Sequence, residues 1–171
     1  NLKFEEIDSF LEPKIRDMMP EPYSLLGMEK AAIILANAII NKNRIGIFSD
    51  YDVDGTASAA ILINWLNVFG VSSILYIPDR LSEGYGPNIP AMVQLSKETD
   101  LIICLDCGTL AFDPIRRAKE AGCKVIVVDH HQSNKNLPNA NALVNPNRAD
   151  EKSVPSYLCT AGVLFLLLVA T

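Results

Sequence analysis

Cysteine, histidine and tryptophan are scarce in this sequence, which has 4, 2 and 1 of them among its 171 residues. Cys104 and Cys107 have CxxC spacing, but without a second pair at the right distance this spacing does not predict a zinc site. Core packing explains Cys104 better, because free cysteine is among the most often buried residues. Residues 1–6 are polar, which predicts no secretory signal and a reducing, cytoplasmic location.

No apolar run in the sequence reaches the length of a membrane-spanning helix, which needs about 20 residues. The best candidate is Leu158–Ala170, a run rich in Leu, Val and Phe. We interpret it as a buried helix and predict no membrane contact. Because the run ends at Thr171 without a capping residue, we expect the chain to be a fragment.

Positively charged residues are also few: the sequence has 15 Lys and Arg residues and 20 Asp and Glu residues, so its net charge is −5. This balance argues against a broad nucleic-acid-binding surface within these residues. Hydrophobic residues make up 49% of the chain and charged residues 20%. The composition is therefore that of a globular protein, and the length is that of one domain with a substantial core.

The sequence does contain three acidic segments, each placed at the end of an apolar run. The runs are Arg44–Phe48, Leu101–Leu105 and Lys124–Val128, and the acidic segments are 49–56, 105–108 and 128–132. Such runs are typical of parallel strands buried on both faces, and open α/β sheets bind ligands at the carboxyl ends of their strands. We therefore expect the three acidic segments to meet at one edge of a sheet.

Carboxylates that meet at one edge repel each other strongly unless cations lie between them. Oxygen and imidazole ligands suit Mn²⁺ or Mg²⁺ better than they suit metals that prefer thiolates. The residues therefore predict a site for two divalent ions, about 3.5–4 Å apart and bridged by a shared carboxylate, that activates water for attack on phosphorus.

Alternating strands and helices predict an α/β fold with a parallel sheet of four to five strands flanked by helices. Ser73–Ile77 is the predicted second strand, and Leu143–Pro146 a short fifth one. Since the acidic segments follow strands one, three and four, we expect strand one to lie between strands two and three. Residues 1–43 are interpreted as a helical lead-in packed on the core, and residues 44–171 as the catalytic domain.

Two helix starts and one loop carry further predictions. A helix beginning at Gly55 would present unpaired N–H groups, so we expect Gly55 and Thr56 to bind a substrate phosphate. A later helix is expected over 113–121, with Asp113 as its N-cap. Residues 83–86 are interpreted as a plain loop, and the alternative is that Tyr85 stacks on a base.

The acidic segments together resemble the first three motifs of the DHH phosphoesterase superfamily, in Asp50–Gly55, Asp106–Gly108 and Asp129–His131. Two further stretches, Arg80–Gly86 and Leu143–Arg148, make the chain similar to the RecJ branch. That branch consists of single-strand-specific 5′→3′ DNA exonucleases of recombination and repair. The resemblance covers nearly the whole chain and implies single-stranded DNA as the substrate.

The resemblance also implies a role for most of these acids and histidines. Asp52 and Asp54 would each bind one of two Mn²⁺ or Mg²⁺ ions. Asp106 would bridge both ions, and His130 would bind the second one. His131 would contact the scissile phosphate. The expected catalytic residues are therefore Asp106, His130 and His131.

Two acids have less direct expected roles. Asp129 would orient an imidazole rather than bind metal. Asp50 would either complete the shell of the first ion or hold a ligating water.

The chain departs from the family pattern in two respects. Phe48 stands where related phosphatases place a ligating histidine, which counts against the alternative of a phosphatase for short oligonucleotides, cyclic dinucleotides or pyrophosphate. The fourth-motif aspartate and the DHHA1-type domain of the family fall outside this sequence, so we expect an incomplete site and weak or no activity from the chain alone. A non-catalytic DHH-fold scaffold is the alternative of another class, although such scaffolds tend to lose ligands.

Overall fold

A five-stranded, all-parallel sheet forms the centre of the computed structural model, which describes residues 7–152 and 156–171. The strands are β1 (Ile45–Ser49), β2 (Ser73–Tyr76), β3 (Leu101–Leu105), β4 (Lys124–Val128) and β5 (Ala142–Val144). They pair in the order β2-β1-β3-β4-β5. The predicted α/β fold is confirmed, and so is the position of strand one between strands two and three.

Helices flank the sheet and alternate with its first four strands. They are α1 (Ile7–Leu11), α2 (Ile15–Met18), α3 (Met28–Ile40), α4 (Val53–Val68), α5 (Ile89–Glu98), α6 (Phe112–Glu120) and α7 (Thr160–Ala170), with a single 3₁₀ turn at Pro22–Ser24. None of the helices in the described ranges is long and apolar enough to cross a membrane.

Each face of the sheet carries its own hydrophobic core, because successive strand side chains point to opposite faces. Ile45, Ile47 and Ile103 pack against α3, α4 and α7 on one face. On the other face, Phe48 and Cys104 pack with α5 and α6. The inner strands are therefore covered on both sides, which explains their continuous apolar runs, and Cys104 is a core residue as predicted.

The lead-in is described from Ile7 onward, and residues 1–6 lie outside the described part of the chain. Its longest helix, α3, shares one hydrophobic core with α4 and α7. The division of the chain at residue 43 stays a prediction.

Two predicted helix starts differ from the structure. Asp113 is not an N-cap, because α6 begins at Phe112 and its N-cap position is Ala111, which has no side-chain oxygen. Helix α4 begins at Val53 rather than Gly55, because Asp52 Oδ1 accepts the Gly55 N–H at 3.0 Å and caps the helix two residues earlier. This second difference changes which N–H groups are free at the site.

Candidate metal centre

The acidic segments meet at the carboxyl edge of the sheet because the hydrogen-bond ladder continues one residue past three strands. The N–H of Asp50 donates to Leu105 O at 3.1 Å. In the same way, Asp106 N–H donates to Val128 O at 3.0 Å and Asp129 N–H donates to Val144 O at 3.1 Å. The three aspartates that follow β1, β3 and β4 are thereby fixed by sheet pairing, as the sequence predicted.

Two groups of side chains at this edge are placed to hold a metal ion, and Asp106 belongs to both. One group is Asp106 with His130 and His131, and the other is Asp106 with Asp50 and Asp52. Within each group the candidate ligand atoms all lie within 4.8 Å of one another. A carboxylate shared by two such groups is the arrangement expected of a bridging ligand.

The side chain of Asp106 is buried and only half satisfied. Its Oδ1 accepts a hydrogen bond from Thr160 Oγ1 at 2.9 Å, whereas its Oδ2 is buried without a partner. Burial, with added repulsion from Asp54 and contact with Asp52, raises the pKa of Asp106 to about 8. The backbone φ of Asp106 is +61°, a left-handed conformation that non-glycine residues adopt rarely and mostly at functional sites. A cation would satisfy the free oxygen.

Asp50, like Asp106, has a buried carboxylate oxygen that a bound cation would satisfy. It is 3% exposed, its Oδ1 is buried without a hydrogen-bond partner, and burial raises the pKa of its carboxyl. Asp52 is exposed and uses one oxygen to cap α4. The unpartnered carboxylate oxygens of Asp50 and Asp106 suit hard divalent cations, so the residues present fit the predicted metal ions.

Asp54 lies apart from both groups. Its two oxygens accept hydrogen bonds from the backbone N–H groups of Thr160 at 2.7 Å and Ala161 at 2.9 Å, at the start of α7. Burial alone would raise the pKa of Asp54, but these N–H donors outweigh it and lower the pKa. Asp54 Oδ2 is also 3.7 Å from His130 Nε2, so the acid borders the group that contains His130.

The two histidines differ in what holds them. His130 Nε2 lies 3.5 Å from Asp106 Oδ1, and the His130 carbonyl accepts a hydrogen bond from Asn147 Nδ2 at 2.6 Å. His131 Nδ1 lies 2.8 Å from Asp129 Oδ1, and its carbonyl accepts from Asn145 Nδ2 at 2.8 Å. His130 therefore faces the acids of the proposed metal groups, and His131 is held by Asp129.

Asp129 is a buried carboxylate whose hydrogen-bond donors stabilise it as an anion. It accepts hydrogen bonds from the backbone N–H groups of Thr109, His130 and His131. Burial opposes ionisation, yet the bonds from His131 and Thr109 lower the pKa of Asp129 to about 2. In turn, Asp129 raises the pKa of the His131 imidazole.

The sequence profile of the DHH family, N-terminal domain, matches residues 44–171 of this chain. The chain belongs to the DHH family. The single-stranded-DNA-specific exonuclease RecJ of Bacillus subtilis is 36% identical over 159 residues, which are 92% of this chain and 20% of that protein. The Haemophilus influenzae exonuclease of the same name is 35% identical over 162 residues, 94% of this chain and 28% of that protein.

Solved structures of RecJ have the same fold. A crystal structure of exonuclease RecJ bound to manganese superposes with a TM-score of 0.78 at 36% identity, covering 85% of this chain and 37% of that one. A structure of RecJ from Thermus thermophilus in complex with Mn²⁺ has a TM-score of 0.71 at 33% identity and covers 85% of this chain and 20% of that one. The chain spans less than a third of the length of the Bacillus subtilis and Haemophilus influenzae exonucleases.

In this DHH domain, Gly55 and Thr56 have no free backbone donors. The N–H of Gly55 donates to Asp52 Oδ1, and that of Thr56 donates to Asp52 O at 2.9 Å. Their predicted phosphate role stays a prediction without free N–H groups to support it. Gly55 has a steric function instead, because a Cβ at this position would lie 2.4 Å from Asp50 O.

Sequence reasoning missed four residues that hold the DHH site in place. Asn145 and Asn147 fix the carbonyls of the two histidines. Tyr85 is not part of a plain loop, since its hydroxyl donates to Asp106 O at 3.1 Å and lies 3.2 Å from His131 Nδ1. Thr160 contacts both Asp54 and Asp106. The first three lie in stretches that carry the family resemblance, whereas no motif contains Thr160.

Proposed function

We propose that this chain carries the metal centre of a single-strand-specific DNA exonuclease that hydrolyses phosphodiester bonds in the 5′→3′ direction. Relatives at 35–36% identity are exonucleases named for single-stranded DNA. The observation that carries the proposal is Asp106, a buried carboxylate common to two ligand groups with one oxygen left unpartnered. A site built this way matches the two-metal arrangement used for phosphoryl transfer.

Each side chain has a place in the proposed centre. Asp50 and Asp52 would hold one ion together with Asp106. Asp106 and His130 would hold the second ion, with Asp54 beside them. Once bound, two Mn²⁺ or Mg²⁺ ions supply Lewis acidity and a nucleophilic water at neutral pH.

His131 is proposed to contact the scissile phosphate. The Asp129 carboxylate lies 2.8 Å from Nδ1 of His131 and raises the pKa of the imidazole, which favours its charged form at the edge of the centre. A fixed cationic donor stabilises the negative charge that accumulates on phosphate oxygens during hydrolysis. A cleft of about 530 Å³ opens beside His131, lined by Tyr85, Pro87 and Leu110, and gives the substrate access.

Phe48 argues against the phosphatase alternative. It is fully buried and stacks on Tyr76, with ring centroids 5.4 Å apart. The position at which related phosphatases place a ligating histidine is therefore occupied by an aromatic core residue. The scaffold alternative lacks support as well, because the acids and histidines of both ligand groups are present.

The proposal includes a longer protein around this chain and a cellular setting. The net charge of −5 leaves the basic, strand-holding surface to residues outside the sequence, in keeping with relatives three to five times longer. Recombination and repair in the cytoplasm is the proposed setting. All four cysteines are free, which suits a reducing compartment.

The test is nuclease activity of the longer protein with Mn²⁺ on matched single-stranded and duplex oligonucleotides labelled at the 3′ end. We expect the single strand to be degraded to mononucleotides from its 5′ end, so that the labelled fragments shorten progressively. We expect little cleavage of the duplex and no activity from Asp106→Asn. This 171-residue chain alone is expected to be weak or inactive. Equal rates for wild type and Asp106→Asn, or equal cleavage of both substrates, would contradict the proposal.

A further inference from the structure

Thr160 contacts two of the predicted metal ligands at once, although it lies in no motif. Its Oγ1–H donates to Asp106 Oδ1 at 2.9 Å, and its backbone N–H donates to Asp54 Oδ2 at 2.7 Å. We propose that Thr160 is a positioning residue of the metal centre, whose hydroxyl fixes the Asp106 carboxylate so that its free oxygen is held for the ions. The inference rests on the proposed function, since it concerns the same centre.

The Asp106 carboxylate needs such a partner because the protein binds it at one point only. Oδ1 receives the Thr160 hydroxyl, and Oδ2 is buried with no partner. Without the hydroxyl, the carboxylate would lose this hydrogen bond and keep the longer contact of Oδ1 with His130 Nε2 at 3.5 Å, so its plane would be less firmly fixed. Partners that orient a metal ligand in this way commonly change metal affinity by about 10–100-fold when they are removed.

Thr160 itself is held rigidly. It is fully buried and is the first residue of α7, a helix whose Val163, Leu164 and Leu167 are fully buried in the core shared with α3 and α4. A hydroxyl on a packed helix is placed more precisely than one on a loop. The packing of α7 therefore sets the direction from which Asp106 receives its hydrogen bond.

The same helix end holds Asp54 through the backbone. Cys159, the N-cap residue of α7, makes no side-chain capping bond, and the Asp54 carboxylate instead accepts from the N–H groups of Thr160 and Ala161. Because both donors are backbone N–H groups, Thr160→Val and Thr160→Ser keep them. The hydroxyl can therefore be removed without removing the donors of Asp54, which makes its contribution measurable by itself.

The experiment is a Mn²⁺ titration of this chain, followed by the electron paramagnetic resonance signal of free Mn²⁺. Thr160→Val removes the hydroxyl and keeps the shape of the side chain. Thr160→Ser keeps the hydroxyl. Thr99→Val is the matched control, because Thr99 is also buried but donates its hydroxyl to Leu95 O, before β3 at the opposite edge of the sheet. Circular dichroism in EDTA checks that each variant is folded.

We expect Thr160→Val to raise the Kd for Mn²⁺ by about tenfold or more, and Thr160→Ser and Thr99→Val to stay within about threefold of wild type. The proposal is overturned if folded Thr160→Val binds Mn²⁺ like wild type. It is also overturned if folded Thr160→Ser loses affinity about tenfold, a result that decides the matter even where the valine variant does not fold. A wild-type chain with no affinity for Mn²⁺ would contradict the proposed metal centre itself, and this inference with it.

Discussion

Asp129 Oδ1 and His131 Nδ1 lie 2.8 Å apart, and both residues belong to one DHH motif. Asp129 takes three backbone N–H groups as well, so its orientation is set before any ligand is present. The imidazole of His131 is consequently aimed by a fixed anion. His130 makes longer contacts and points its Nε2 toward Asp106 at 3.5 Å and Asp54 at 3.7 Å.

His131→Ala and His130→Ala should therefore fail in different ways. We expect His131→Ala to lower kcat of the longer protein by about 100-fold, because a cationic group facing the phosphate is lost, while Mn²⁺ affinity changes little. His130→Ala should weaken Mn²⁺ binding by about tenfold or more. Calorimetric Mn²⁺ titrations beside single-turnover rates separate the two effects. Equal losses of Mn²⁺ affinity in the two variants would contradict this division of roles.

Mn²⁺ should bind this chain more tightly than Mg²⁺. Imidazole is a good ligand for first-row transition metals, whereas Mg²⁺ prefers an all-oxygen shell. His130→Ala should therefore reduce the difference in affinity between the two ions. Lys135→Ala changes an exposed residue of the loop after the histidines and should leave that difference unchanged. Isothermal titration with each ion measures both affinities. A preference for Mg²⁺ in the wild type would show that the imidazole is not a ligand.

Asp106→Asn should stabilise the metal-free chain at neutral pH. The pKa of Asp106 is raised from 3.8 to about 8 on folding, so the folded state binds more protons than the unfolded state between these values, and its stability falls as pH rises through that window. Asparagine tolerates the positive φ and carries no charge. In EDTA at pH 8 we expect a gain of about 1 kcal/mol or more, which is about 2–4 °C in Tm for a chain of this size.

The gain from Asp106→Asn should shrink as the pH is lowered toward 4, where wild-type Asp106 is protonated in the folded state. Thermal unfolding at several pH values in EDTA measures it. A gain that is the same at pH 4 and pH 8 would mean that charge burial is not its cause. Saturating Mn²⁺ should reverse the order, because only the wild type keeps both oxygens of the ligand.

Gly55→Ala should destabilise the fold by about 1–3 kcal/mol. The added Cβ would lie 2.4 Å from the carbonyl oxygen of Asp50, a residue whose N–H is held by a hydrogen bond to Leu105 O. Gly162→Ala is the control, because its Cβ would come tightly against only the flexible Leu158 side chain, with Cδ2 nearest at 3.2 Å, and alanine favours a helix interior. Urea unfolding compares the two. If Gly55→Ala loses no more stability than Gly162→Ala, the steric role of Gly55 is contradicted.

Single-stranded DNA should bind this chain weakly. With a net charge of −5 the chain neutralises few phosphates, so we expect a Kd above about 10 µM at about 150 mM salt. Fluorescence anisotropy with a labelled single strand, repeated with the longer protein, tests this. Submicromolar binding by the chain alone would place the substrate-holding surface within residues 1–171.

The strands and their order could be predicted because their signals are local. β1, β3 and β4 are apolar runs, each followed by acids, and the lack of such a motif after β2 predicted that β1 lies between β2 and β3. Helix starts were harder to predict. Asp52 was predicted only as a metal ligand, but in the structure its carboxylate caps α4, and this cap places the helix start two positions earlier than predicted.

Thr160 and Asp54 show where sequence reasoning reached its limit. Asp54 lies two residues after Asp52, but because α4 has already begun there, its side chain turns toward α7 rather than continuing the strand alternation. Thr160 meets Asp54 and Asp106 from positions 106 and 54 residues away. A hydroxyl at the start of an apolar run gives no local signal of that contact, which exists only once the helices are packed.

The capping of α7 by Asp54 has a consequence for how the protein is made. A nascent chain that has emerged as far as Val144 has all five strands, and with them Asp50, Asp106 and Asp129, but not the helix that receives Asp54. Until α7 follows, the like-charged side chains at the sheet edge lack the N–H and hydroxyl donors of Thr160 and Ala161. Synthesis of α7 is therefore the step that supplies these donors, and it comes after the acids at the sheet edge have been made.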